Sequence, residues 1–441
     1  MPGSVALMSS TVAPTRKRGQ VFSWALWDWG TSAYSVIITT FIFPVFVLQD
    51  AFLANGQAPS DLEAQFLGAF WIAAAVVFFF APVLGQRADR SRRTKAWLGL
   101  NTFIVGLAVI FMVFLVPNSG LFGIALVLYA VALIFYEFAF VNYNTVLVQI
   151  TTPQNIGRVS GFGWGLGYLG GIVALVVALV GFVGLGDGTG AFGVTMDEQL
   201  NIRMAFLFTG LWVILFTVPV LVGTPKVPAL DMGKPLGFAA SYGKLFRDIG
   251  HLWRSERGTA GFLIASAIFR DGLAAVFTLG AIIAAKVFGF GTQDILLFGI
   301  AANLVAGIGV FLGGVIEDKI GPKKLIVASL IGLIIGGLYV FIFAGLGTTT
   351  FWIGGLVLSL FVGPAQSASR TFLGRLTTPG REGELYGLYA TTGRGLGWIT
   401  GLAAWIVFLL TGQAIWNIFI IVVVLAIGLG LMIPLKPKFA K

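Results

Sequence analysis

Six ionisable side chains fall inside long apolar runs: Asp28, Glu137 and Asp271, against Arg270, Arg370 and Arg394. A charge in hydrocarbon is costly unless it is paired or faces water, so such residues point to a solute or ion pathway. Three acids against three bases leave that pathway near neutral. Neutrality suits a zwitterion gripped by one charge of each sign, or internal pairs that break and re-form. A pump for lipophilic cations would be expected to show an acidic excess, and an organic-phosphate carrier a basic one. A carboxyl that moves between water and low dielectric can take up and release a proton, which makes Asp28, Glu137 and Asp271 candidates for proton coupling.

Polar neighbours at helical spacing extend these positions into faces. Asp28, Thr31, Ser32, Ser35 and Thr39 form one stripe, expected to face water or solute because facing lipid would be costly. Ser359, Gly363, Gln366 and Arg370 form another, Glu137 pairs with Asn144, and Asp271 with Thr278. At about 1.5 Å per residue, Glu137, Asp271 and Arg394 lie near mid-bilayer and Asp28 is shallower. Arg370 lies close to the cytoplasmic end, where it reads either as a pathway residue or as a side chain that snorkels to water. Trp24 fits an interfacial aromatic belt, with Trp27 and Trp29 deeper.

Other chemistries find no foothold. The chain has no cysteine and a single histidine, His251, so thiolate and multi-histidine metal sites are excluded. No nucleophile–base pair suggests an enzyme, and no cofactor or metal is expected. Gly165, Gly167 and Gly170 spell the dinucleotide fingerprint, but inside a membrane span rather than between a strand and a helix. Gly163, Gly167 and Gly171, like Gly393, Gly397 and Gly401, read instead as small-residue stripes for close helix approach, with a gating role as the alternative.

The elements that must position these residues are membrane helices. The chain has 441 residues, 57% hydrophobic and 10% charged, with mean hydropathy +0.94, a balance that makes the bilayer the solvent. Apolar runs of about 20 residues or more are predicted at 21–48, 66–86, 97–116, 121–149, 159–184 and 202–223. A second six follow at 259–287, 293–316, 323–345, 350–374, 383–410 and 413–435. The fold class is thus all-α integral membrane, with halves 21–223 and 259–435, tails 1–20 and 436–441, and a linker 224–258. Most bases fall on the tails and alternate loops, which puts both termini in the cytoplasm. The net charge of +10 is therefore topology, and no nucleic-acid partner is expected. In the linker, Phe238, Tyr242, Leu245, Phe246, Ile249, Leu252 and Trp253 recur at helical spacing among bases, as an amphipathic helix on the cytoplasmic interface would.

Two repeats relate the halves. Gly85–Lys95, GQRADRSRRTK, returns as Gly314–Lys324, GVIEDKIGPKK. Thr151-Thr152-Pro153 with Gly161 returns as Thr377-Thr378-Pro379 with Gly387. The first pair resembles the loop signature of the major facilitator superfamily, between helices 2 and 3 and between 8 and 9. The first copy departs from it at Ser91 or Arg92, where glycine is usual, while the second keeps Gly321. The run Trp24-Ala-Leu-Trp-Asp28-Trp-Gly-Thr-Ser-Ala33, with Phe43-Pro44, is similar to the opening helix of the autophagy vacuole-effluxer-like facilitators. So are Gly157–Gly161 with Gly167–Gly171, Arg270-Asp271-Gly272, and Gly363-Pro-Ala-Gln366-Ser-Ala-Ser-Arg370 with Leu376–Pro379, Glu384 and Gly387.

That resemblance implies a twelve-helix secondary transporter in two parallel six-helix repeats, with helices 1, 4, 7 and 10 lining the cavity, and it hints at amino acids. The expected activity is movement of a small polar or zwitterionic, amino-acid-like solute by alternating access, coupled to protons, in a bacterial inner membrane and as a monomer. The pathway residues are Asp28, Thr31, Ser32, Ser35, Glu137, Asn144, Arg270, Asp271, Gln366, Arg370 and Arg394. A cytoplasmic gate is expected from Gly85, Asp89, Arg90, Arg93, Gly314, Asp318, Lys319 and Lys323. In it Asp89 would meet a helix N-terminus near Gly383–Gly387, and Asp318 one near Gly157–Gly161. An exporter of drugs or other hydrophobic compounds is the alternative, with a non-transporting sensor on the same scaffold behind it.

Overall fold

A computed structural model describes residues 18–91, 93–184, 190–225, 237–377 and 381–436. Arg16, Lys17, Arg92, Thr378, Pro379, Lys438 and Lys441 lie outside the described residues.

The first six membrane helices are α1 Gly19–Val47, α2 Pro59–Arg90, α3 Thr94–Phe114, α4 Ser119–Ile150, α5 Ile156–Val183 and α6 Asp197–Gly223. After the linker come α7 Arg257–Phe288, α8 Thr292–Ile320, α9 Pro322–Ile342 and α10 Thr348–Leu376. Then α11 Glu382–Thr411 and α12 Trp416–Met432 close the chain. All but α12 are long and apolar enough by themselves to cross a bilayer, and α12, at 17 residues, is slightly short. Side chains such as Phe79, Leu215 and Leu410 point outward, where only lipid can cover them.

The boundaries follow local chemistry. Gly321, at φ +85°, ends α8, and Pro322 opens α9 at a first-turn position that needs no N–H donor. Helices α1 to α6 pack among themselves, as do α7 to α12, and the two groups meet chiefly where α2 touches α11 and α5 touches α8. The linker helix, Phe238–Ser255, packs against α2 and α7.

Two elements differ from expectation. α1 changes after Ala33 to a π-helical stretch, Tyr34–Phe41, before a last short turn at Phe43–Val47. α11 is not continuous: an inner segment, Glu382–Leu396, is separated at Gly397 and Trp398 from an outer segment, Ile399–Thr411. Glycine at 397 lets the chain break where a packing stripe was expected. A Cβ on Gly401 would meet nothing within 4 Å, and one on Gly393 would meet the Arg270 guanidinium rather than a neighbouring backbone. The stripe on α5 does serve packing: Gly163 lies against the Trp24 ring, and Gly167 and Gly171 against Ser32.

Candidate functional site

A cavity of about 1000 Å³ lies between the halves. Its lining runs from half-exposed Leu67, Trp71 and Trp405, near the outer ends of α2 and α11, down to Arg370 on α10. Glu137, Arg270, Asp271, Gln366, Arg370, Arg394 and Thr278 all line it.

Four of the six charges pair across the halves. Arg394 of α11 donates to Glu137 of α4. Arg370, 1% exposed, lies 3.6 Å from the Asp28 carboxylate on α1 and donates to the Ser160 hydroxyl at 3.0 Å and the Ser160 carbonyl at 2.9 Å on α5. It also approaches the Asn144 side-chain oxygen at 3.5 Å and sits among the rings of Trp24, Tyr143 and Trp164. Such a guanidinium is far from snorkelling: the inner ends of both halves close over it. A buried ion pair is worth keeping only when its remaining donors and acceptors are satisfied, and here Tyr143 donates to Asp28 at 2.8 Å.

The α1 stripe does not face the cavity. Asp28 lies behind Arg370, the Thr31 hydroxyl donates to the Trp27 carbonyl, and Ser32 packs on Gly167 of α5. The carbonyl of Ser35 takes the Thr39 and Thr40 hydroxyls. The stripe thus faces protein: Asp28 is met by Tyr143 and Arg370, and the Thr31, Thr39 and Thr40 hydroxyls bond carbonyls of α1 itself. Trp24 is likewise core rather than belt, stacked on Tyr143 with ring centroids 4.4 Å apart.

Arg270 and Asp271 stand apart from these pairs. The Arg270 guanidinium lies 3.7 Å over the Tyr389 ring and donates to the Tyr389 carbonyl at 3.1 Å. Among the described residues no carboxylate pairs with it. Asp271 accepts from the Thr400 N–H and hydroxyl, both at 2.7 Å.

The inner end is shut by the two repeated motifs. Asp89 accepts from the Gly383 and Glu384 N–H groups, each at 2.9 Å, at the start of α11. Asp318 accepts from Gly157 N–H at 3.0 Å and Arg158 N–H at 3.1 Å, at the start of α5. A carboxylate at a helix N-terminus satisfies orphan amides and opposes the positive end of the dipole. The glycines permit the approach: a Cβ on Gly85 would collide with the Gly383 carbonyl, and one on Gly161 would come within 2.6 Å of the Val310 carbonyl.

The basic members are placed differently. Lys323 does not reach across, because it holds the Ile433 and Leu435 carbonyls at the end of α12 in its own half. Lys319 and Arg93 are exposed, and Arg90 is half-buried in the last turn of α2.

Sequence reasoning passed over Glu317, which is fully buried, takes the Thr371 hydroxyl and lies 3.3 Å from Arg375. Its signal was its place three residues after Gly314, on the face the glycine packs. Ser160, Tyr143, Tyr389 and Thr400 were also missed, since no spacing within one helix reveals a partner on another.

The linker helix bolts onto the same end. Lys244 pairs with Asp248 and, at 3.3 Å, with Glu384, while Arg381 reaches Asp248 at 3.1 Å. Burial alone would push the Asp248 carboxyl up, but the hydrogen bond from Lys244, with Glu384 and Arg381, holds it below the usual carboxylate range.

Twelve helices in two packed groups, with a charged cavity between them and one end latched, define a transporter of the major facilitator superfamily. Outward-facing FucP from that superfamily superimposes with a TM-score of 0.72 over 96% of this chain and 98% of its own, at 14% identity. The uncharacterized MFS-type transporter YxiO of Bacillus subtilis is 24% identical over 410 residues, 93% of each chain. More particularly, the chain belongs to the vacuole effluxer Atg22-like family, whose pattern matches residues 16–439. Autophagy-related protein 22-1 of Penicillium rubens is 28% identical over 264 residues, 54% of this chain and 42% of that one.

Proposed function

We propose that the protein is a secondary active carrier of a small zwitterionic, amino-acid-like solute, moved by alternating access and coupled to protons. The observation that carries this reading is the division of the six charges. Two pairs bridge the halves, while Arg270 faces the cavity without a carboxylate partner among the described residues. In a low-dielectric cavity such a guanidinium offers a bidentate grip on a substrate carboxylate. The neighbouring Asp271 supplies the opposite charge for an ammonium group.

Alternating access follows from what the latches hold. Opening the inner end would break the Asp89 and Asp318 caps, the Arg370–Asp28 pair and the Glu137–Arg394 pair together. Protonation of Asp28 would remove one of the charges that ties Arg370 to α1, which makes that pair the proposed coupling site. The reading includes a bacterial cell membrane and a monomer working alone, with both termini cytoplasmic, an orientation that the bases at the latched end support.

A thermal-shift series on purified protein tests the substrate class, since a ligand that binds only the folded state stabilises it by mass action. Free amino acids should raise the melting temperature well beyond what their methyl esters or N-acetyl derivatives reach, and Arg270→Gln should remove the advantage of acid over ester. Esters that stabilise as well as the acids, with Arg270→Gln unchanged, would sink it. The second reading, export of hydrophobic compounds, is favoured by the tryptophans along the cavity, Trp71, Trp398 and Trp405. Stabilisation by lipophilic amines alone would bring it forward.

A further inference from the structure

The break in α11 is held from both sides by two consecutive residues of α7. On the inner side Arg270 stacks on Tyr389 and bonds its carbonyl. On the outer side Asp271 accepts from the N–H and hydroxyl of Thr400, in the first turn of Ile399–Thr411. Trp398, at the N-cap position, makes no capping bond through its own side chain, so the carboxylate from α7 does what a capping residue would do.

Beyond these bonds the outer segment packs on α12 and α7, and most of its surface is open. Only Thr400 and Ala404 of it are buried, Trp405 is 58% exposed and Leu410 80%. It lines the cavity mouth opposite Leu67 and Trp71 of α2. The geometry points to a gate: the outer segment of α11 closes the cavity mouth, Asp271 pins it open, and neutralising the Asp271 charge releases it.

The natural neutraliser, on the zwitterion reading proposed above, is the ammonium group of the substrate. Asp271 lines the cavity, and among the described residues its Oδ1 accepts no hydrogen bond, so an incoming ammonium has an oxygen to meet. An ion pair formed there draws the carboxylate from Thr400. The segment then loses its cap and is free to swing towards α2 over the bound solute. Binding and closure are linked through one carboxylate, so an empty site stays open.

The chain has no cysteine, so paired spin labels can be introduced directly. Labels at Ala64→Cys on α2 and Leu410→Cys on α11, both exposed, span the mouth. Distances would be measured by pulsed spin resonance in lipid nanodiscs. Without ligand, Asp271→Asn and the near-isosteric Thr400→Val should each raise the closed-to-open ratio about tenfold, the order expected from weakening a hydrogen bond to a charged group. Thr400→Ser should restore the open distribution, which a merely misfolded segment would not allow.

In the otherwise unmodified chain, L-alanine and ethylamine should shift the distance inward and propionate should not. Asp271→Asn should be indifferent to all three. Distributions for Asp271→Asn and Thr400→Val that match the parent would overturn the pin. If the variants close the mouth but neither alanine nor ethylamine does, the gate stands and the zwitterion reading fails.

Discussion

Arg370 carries two demands at once: it faces the cavity, and it holds α10 to α1 and α5. Helical spacing placed it on a polar face with Gln366 correctly, but depth counted from the helix end suggested water close by. That inference failed because the inner ends of the halves close over the side chain, and nothing in one helix reports on another's position. Glu137 and Arg394 were legible as intramembrane charges, while their pairing was not. Glu137→Gln leaves Arg394 facing a wet cavity without its partner, and thermal unfolding in detergent should register a loss of about 1–3 kcal/mol. The double change Glu137→Gln with Arg394→Gln should recover most of it, because no uncompensated charge remains. A double variant less stable than either single would contradict this account of the pair.

At the scale of elements, the latches were the most readable part of the chain. Each joins a glycine that needs contact to an aspartate four residues on, and both partners appear in the other repeat as glycines at helix starts. The model for opening makes the glycine contacts conformation-specific. Gly161→Ala would push a methyl against the Val310 carbonyl and the Gly314 backbone, overpacking typically worth about 1–3 kcal/mol. The inward-facing state relieves that clash, so cysteines placed in the inner cavity should label faster. Asp89→Asn should act in the same direction by weakening the two charged hydrogen bonds of its cap, with the protein still folded.

The linker clasp should be insensitive to ordinary pH. Asp248 is held below its unfolded value, so its contribution is present above about pH 4 and is lost as pH falls through the folded value. Arg381 is raised by its hydrogen bond to Glu384, so its contribution persists at every pH below its unfolded value. Hydrogen exchange across Phe238–Ser255, corrected for intrinsic rates, should match at pH 5.5 and 7.5 and rise only near pH 3. The break in α11 escaped notice because Gly393, Gly397 and Gly401 at a spacing of four suit a packing stripe as well as a hinge.

For the whole molecule, the internal repeat explains why one end closes so completely. Asn144 and Arg370 are 226 positions apart, the separation that relates Thr151 to Thr377, so they occupy matching places in the two halves and meet between them. The same symmetry sets the Asp89 and Asp318 latches on either side, and a single rocking motion would release both. Helix count, the two halves and the latches could be read from apolar length and repeated motifs, because those are properties of single segments. Which charges pair, and which one is left for a solute, depends on how twelve segments meet.

The central claim is carriage of a zwitterion driven through the Asp28–Arg370 pair. Counterflow in proteoliposomes with pooled labelled amino acids, with and without an imposed pH gradient, puts it to the test, run beside Asp28→Asn. The account predicts saturable counterflow, accumulation that requires the gradient, and loss of that accumulation in Asp28→Asn while exchange persists. Correctly folded protein that moves no amino acid under either condition would contradict it.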